Sequence, residues 1–174
     1  MTARNQDSTF RPFLEVLNLE SRPLVGVEVG VLQGDNAARM LETLSIETLY
    51  LVDQWTPYYQ NGVLFRDVDY YEQVIVRFSA DPRVRIILGD SHDSARTISN
   101  NSLDFAYIDA NHEQKRVEED IIAWMPKVKA GGYIAGHDFR HQNPGVTAAV
   151  LQAAHKHDWD LHTRVIDWWA KIER

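Results

Sequence analysis

The stretch SLDFAYIDANHEQKRVEEDIIAWMPKVKAGGYIAGHDF, residues 102–139, carries the pattern on which the fold turns. It opens with LDFAYID (103–109), a nearly unbroken apolar run of the kind that suits a strand buried on both faces. Apolar residues then recur at Val117, Ile121, Trp124 and Val128, the spacing of one helix face. That spacing predicts a helix over 112–128, with Glu118, Glu119 and Asp120 mostly on its solvated side. Gly131-Gly132 reads as the turn after the helix, and YIAGHD (133–138) as a second buried strand. Strand, helix and strand in this order form the repeating unit of a parallel sheet.

The same alternation extends outward. LVGVEVG (24–30), LYLVD (49–53) and VRIILGD (84–90) read as further buried strands. Helical spacing links Ala37, Met40, Leu41 and Leu44 over 36–44, and Tyr70, Val74 and Phe78 over 69–79. TAAVLQAAHKH (147–157) continues the series, and RPFLEVLNL places a short peripheral helix within residues 1–22. DLHTRVID and WWAKIER follow as two strands with a tight joint near Asp167. With no helix between them they must pair as a hairpin, which adds an antiparallel strand to the sheet. The expectation is one α/β domain over 1–174. It is a Rossmann-like, doubly wound, mostly parallel sheet with an antiparallel C-terminal strand and helices on both faces. Segment 54–66 is the least regular, an aromatic-rich loop in which Trp55, Tyr58 and Tyr59 are candidates for a lid.

Composition narrows the function. The chain has 174 residues and a net charge of -7, from 25 acidic and 18 basic side chains. No basic block tracks a phosphate backbone, so nucleic acid is not the expected partner. No window reaches the ~18 apolar residues of a membrane span. The polar start MTARNQDSTF lacks the apolar core of a secretion signal, which makes a cytoplasmic location the expectation. The absence of cysteine excludes disulfides, thiolate metal sites and thiol nucleophiles.

Chemistry-bearing residues gather at strand ends. VEVGVLQGDNA puts Glu28 and Gly30 at the end of the first strand and Gly34 before a helix. In doubly wound sheets, ligands bind at those carboxyl ends, near the point where strand order reverses. The run lacks the G-x-G-x-x-G of dinucleotide sites and the G-K-[ST] of phosphate loops. An adenosyl cofactor without a pyrophosphate remains, with Glu28 facing its ammonium or a neighbouring backbone group. The competing reading is a plain turn with an exposed acid. Asp53, at the end of the second strand, suits ribose hydroxyls. Gly89, Asp90, Ser91 and His92 in LGDSHD are placed to meet an adenine edge, although GDS is also a good helix cap.

Together with GVTAAV, these stretches resemble the class I S-adenosylmethionine-dependent methyltransferases. The resemblance spans about residues 24–170. It is narrowest to the small O-methyltransferase-like group that includes macrolide-sugar O-methyltransferases, and more distant to catechol O-methyltransferase. It implies S-adenosylmethionine as cofactor, with Glu28, Gly30 and Gly34 framing the methionine end and Asp53 the ribose. Gly89, Asp90, Ser91 and His92 would lie near the adenine, and Asp109 beside the transferred methyl. In metal-dependent relatives that aspartate and an Asp-Asp or Asp-Asn pair bind a divalent cation, usually magnesium. Here the pair is His137-Asp138, so the implied metal set is Asp109, Asp138 and His137, a departure from the pattern. His112, in DANH, is a candidate general base because imidazole titrates near neutral pH. Asp109, His112 and His137 are thus the catalytic candidates.

The implied reaction is O-methylation of a small hydroxylated acceptor, a sugar or a phenol, with a divalent cation assisting. A homodimer is the assembly that would complete the acceptor pocket. Two alternatives stay open: a metal-dependent hydrolase using Asp109, His112, His137 and Asp138, and a non-catalytic cofactor-binding protein of the same fold.

Overall fold

The computed structural model describes residues 10–60, 62–65 and 70–173. The chain runs α1 (Pro12–Leu17), β1 (Leu24–Val29), α2 (Asp35–Thr43), β2 (Ile46–Asp53), β3 (Tyr58–Gln60), β4 (Val63–Phe65), α3 (Tyr71–Phe78) and β5 (Val84–Leu88). It continues with α4 (Ser91–Ala95), β6 (Leu103–Ile108), α5 (Gln114–Trp124), a 3-10 turn (Met125–Lys127), β7 (Val128–Gly136), α6 (Pro144–His157), β8 (Leu161–Arg164) and β9 (Asp167–Lys171).

Seven strands form one sheet in the order β5-β2-β1-β6-β7-β9-β8. β5 through β7 are parallel, while β9 lies antiparallel to β7 and to β8. Strand order reverses between β1 and β6, which sets the ligand-binding edge at their carboxyl ends. Every residue of β6 is buried, Asp104 included, as its nearly unbroken apolar run requires. Its side chains alternate between two cores. Ala106 and Ile108 pack with α4, α5 and α6; Phe105 and Tyr107 pack with α1, α2 and α3. Helices therefore cover both faces, and the doubly wound expectation holds.

The differences are local and have physical causes. The helix expected over 112–128 ends at Trp124, because Pro126 has no N–H to continue it; a 3-10 turn follows. Gly131-Gly132 is not a turn: β7 begins at Val128 and passes through both glycines with a shift of register against β6. There Gly131 donates to and Gly132 accepts from the backbone of Ile172, at 2.8 Å each. Part of the expected 54–66 loop is a small hairpin, β3 with β4. Residues 1–9, 61, 66–69 and 174 lie outside the described set, and with them parts of the expected N-terminal segment, of the loop and of the helix start at 69. The terminal hairpin turns at Val165-Ile166, just before Asp167. Among the described residues, no helix is long and apolar enough to cross a membrane.

Candidate active site

The carboxyl ends of β1, β2, β5, β6 and β7 border two cavities, of about 310 and 390 Å³. Both are lined by Gly30, Tyr58 and Ala110, so they meet across the end of β1. The first holds Asp53, Gly89, Asp90, Ser91 and His92; the second holds Glu28, Asp109, His112, His137 and Asp138. All the sequence candidates but Gly34 thereby line one edge.

At the end of β1, Glu28 is buried and accepts from the Asn36 amide at 2.9 Å. Its Oε2 is buried and has no hydrogen-bond partner among the described residues. Burial is the main cause that pushes this carboxyl up to about 8, offset in part by the Asn36 donor and reinforced by the charge of Asp109. A buried carboxylate oxygen left without a donor suits a cationic ligand group, because pairing would relieve its desolvation. Glu28→Gln is expected to weaken S-adenosylhomocysteine binding roughly 10–100-fold, measured by calorimetry.

Gly30 and Gly34 both have positive φ, 87° and 80°. A Cβ on Gly30 would run into the backbone of Asp109 and Ala110, so the loop after β1 presses directly on the end of β6. Gly30→Ala should cost roughly 2–4 kcal/mol in denaturant unfolding, from the left-handed conformation and the clash together.

Asp53 supports this loop. Its Oδ2 accepts from the backbone N–H of Val31 and Leu32 at 2.9 and 3.1 Å, and its Oδ1 from Trp55 N–H at 2.8 Å. The residue both braces the β1–α2 loop and borders the cavity. Trp55 is not a lid: it is fully buried, donates to the Leu32 carbonyl and packs on Tyr71. Tyr58 and Tyr59 do line the cavity, and Gln60 accepts from His112 N–H at 3.0 Å, which ties the hairpin to the loop after β6.

Asp109, His112 and Asp138 form a cluster whose ligand atoms all lie within 4.8 Å of one another. His112 Nε2 is 3.1 Å from Asp138 Oδ2 and 3.9 Å from Asp109 Oδ1. Arg140 approaches Asp138 at 2.5 Å, and Arg11 lies 3.7 Å from Asp109. Burial alone would lower the His112 ring, but the two carboxylates outweigh it and hold it up to about 9. For Asp138 burial raises, yet His112 outweighs that and the carboxyl lies below its ordinary value. Two carboxylates at this spacing fit a divalent cation, with an imidazole beside them.

His137 does not belong to this cluster. Asp138 adopts φ 59°, so strand geometry has ended and the two neighbours diverge. The His137 Nδ1 lies 2.8 Å from Asp167 Oδ1 instead. His137 thus falls outside the expected set of Asp109, Asp138 and His137; the two aspartates stay together, with His112 rather than His137 beside them. His137 still borders the second cavity.

Asp120 was expected on the solvated side of its helix, and the structure corrects this. It is only 6% exposed and borders the first cavity. The signal was present: position 120 is three after Val117 and four before Trp124, on the same face. Burial raises its carboxyl from 3.8 to about 7, against the lowering effect of a Ser91 hydrogen bond. A carboxyl raised on folding favours the folded state below its unfolded value, and that contribution is lost as pH rises through the folded one. Wild-type stability should therefore fall by roughly 4 kcal/mol from this group between about pH 4 and pH 7, a trend that Asp120→Asn should flatten in denaturant titrations. Arg11 escaped the sequence reading, since its approach to Asp109 is purely tertiary.

Comparison with known proteins places this geometry in context. The profile of a family described as a methyltransferase domain matches residues 27–139. No curated protein matches the chain. Among solved structures, the O-methyltransferase NovP is 20% identical, with a TM-score of 0.68 over 92% of this chain and 76% of NovP. CalS11, a TDP-rhamnose 3'-O-methyltransferase, is 18% identical, with a TM-score of 0.63 over 92% and 76%. MycE, from the mycinamycin pathway and solved with Mg, SAH and mycinamycin VI, is 17% identical, with a TM-score of 0.64 over 94% of this chain and 48% of MycE. At these identities the likeness establishes the fold.

Proposed function

The chain belongs to the methyltransferase-domain family, whose members take their methyl group from S-adenosylmethionine, and on that premise we propose that it methylates a hydroxyl oxygen of a small acceptor with the help of a divalent cation. The observation that carries the reading is the Asp109–His112–Asp138 cluster, which shares its cavity with the unpartnered Oε2 of Glu28. Glu28 offers the partner for the cofactor's ammonium. The cofactor's ribose and base then extend along the edge, past Asp53 toward Ser91 and Asp120.

In the transfer, the O–CH3 bond forms as the S–CH3 bond breaks, and the sulfonium becomes a neutral thioether. The hydroxyl proton must leave, and His112 Nε2 in its neutral form is positioned to take it; the carboxylates of Asp109 and Asp138, which hold the ring protonated without a cation, are the charges that a bound cation would offset. Asp109 and Asp138 would hold the cation. When bound, a divalent cation lowers the pKa of a coordinated hydroxyl and fixes its geometry. Two carboxylates favour a hard cation such as magnesium. The Mg and SAH bound together in MycE support this pairing of cofactor and metal. Positioning of donor and acceptor contributes the rest, up to roughly 7–11 kcal/mol.

The hydrolase alternative counted His137 with Asp109, His112 and Asp138, and His137 turns to Asp167 instead. It also leaves Glu28 without a purpose. The test is methyl transfer from labelled S-adenosylmethionine to a panel of sugars and phenols, with and without magnesium. Magnesium-dependent labelling at oxygen is the expected result. Cofactor binding with no transfer to any acceptor would favour a non-catalytic protein.

A further inference from the structure

The second cavity is bordered by three guanidiniums, those of Arg11, Arg39 and Arg140, as well as by four acids, Glu28, Asp35, Asp109 and Asp138. Two of the arginines face the two carboxylates that would hold a cation. Arg11 precedes α1 and lies 3.7 Å from Asp109; Arg140 follows β7 and reaches Asp138 at 2.5 Å. The contact of Arg140 is one of charge more than of direction: among the described residues, neither its buried Nε nor Asp138 Oδ1 makes a hydrogen bond. Its backbone is fixed, because the Arg140 carbonyl accepts from Asn143 N–H at 3.0 Å and from the Thr147 hydroxyl at 3.2 Å.

The charge of this cavity changes sign as ligands enter. On their own, the lining side chains leave an acidic excess. A divalent cation held by Asp109 and Asp138 cancels their charge, and the cofactor adds a sulfonium. Arg11 and Arg140 then keep their charge and lose the counter-charges they face. The Arg11 side chain is only 13% exposed, so water screens it poorly. Uncompensated charge at such depth is costly, and an anionic ligand would remove the cost. The cofactor's own carboxylate does not serve. It enters with its ammonium on the Glu28 side, where Arg39 of α2 stands one turn after Asn36, the partner of Glu28. The remaining source of an anion is the acceptor.

We propose that Arg140, with Arg11, reads an anionic group of the methyl acceptor, so that the substrate is a hydroxylated carboxylate or phosphate ester rather than a neutral sugar or phenol. The proposal rests on the reading of this edge as the cofactor and cation site. A guanidinium suits the task, since its fork binds a carboxylate or a phosphate by two parallel bonds. Arg140 is the more accessible of the two, with 36% of its side chain exposed.

Calorimetry on protein saturated with S-adenosylhomocysteine and magnesium tests this with matched ligands: glucose against glucuronate and glucose phosphate, and catechol against protocatechuate. An anionic member of at least one set should bind roughly 10–100-fold more tightly than its neutral counterpart, the range of a charged hydrogen bond. Which anion gains separates carboxylate from phosphate. The preference should shrink to within ~3-fold in Arg140→Gln and be partly kept in Arg140→Lys, which has the charge without the fork. Omitting magnesium should weaken the anion in the wild type, because Asp109 and Asp138 then engage the arginines; by reciprocity the anion should tighten magnesium. If the cation alone attracted the anion, Arg140→Gln would keep the full preference, and that result would overturn the proposal. So would equal affinity for neutral and anionic ligands, or binding of none of the anions. If S-adenosylhomocysteine itself does not bind, the cofactor reading fails and takes the proposal with it.

Discussion

Replacing His112 with alanine is expected to lower kcat by roughly 10²–10⁴-fold, the usual contribution of a positioned base, with cofactor affinity unchanged. In the proposed reaction the ring takes the proton of the acceptor hydroxyl, and its Nε2 lies 3.1 Å from Asp138 and 3.9 Å from Asp109. It is held there by its backbone N–H to Gln60 as well as by the start of α5. Stopped assays at saturating cofactor would measure the loss. The same variant separates two roles. If His112 is the base, excess magnesium leaves the activity low. If excess cation restores the rate, the residue is a metal ligand and the assignment made here is wrong.

The second large effect falls on stability. Asp167→Ala is expected to destabilise the protein by roughly 3–5 kcal/mol, the cost of breaking a buried charged network. In a chain of this length that lowers Tm by roughly 10 °C, readable by calorimetry. Asp167 is fully buried. Its Oδ1 lies 2.8 Å from both the Tyr107 hydroxyl and His137 Nδ1, and its Oδ2 accepts from Phe13 N–H at 3.1 Å. One carboxylate thus joins α1, the end of β6, the residue after β7 and the start of β9. Removing it strands a phenol, an imidazole and a backbone N–H in the core. Asp167→Asn keeps the shape and should lose less. A Tm shift below about 2 °C in the alanine variant would show that the network is not stabilising.

The parallel core was legible because its strands are buried on both faces, and such strands cannot hide their composition. LDFAYID could hardly be read otherwise. The helices followed from apolar spacing, and their ends were less certain because Pro126 acts through a missing N–H rather than through a pattern. Gly131-Gly132 misled, since glycine serves a bulge in a strand as readily as a turn. At the site, the strand-end position of Asp109 and Asp138 was visible, but the divergence of His137 from Asp138 was not. It depends on the left-handed backbone at Asp138 and on Asp167, which is thirty positions from His137 in sequence. Asp120 was misread for a different reason. An acid on a helix is assigned to water by its type, and its place on the apolar face was overlooked.

Every functional assignment above requires the carboxyl edge of this sheet to bind S-adenosylmethionine. Isothermal titration with S-adenosylhomocysteine is the decisive experiment. One site per chain with micromolar affinity, weakened by Glu28→Gln, is the expected result. No heat of binding at millimolar ligand, from protein shown to be folded, would contradict it.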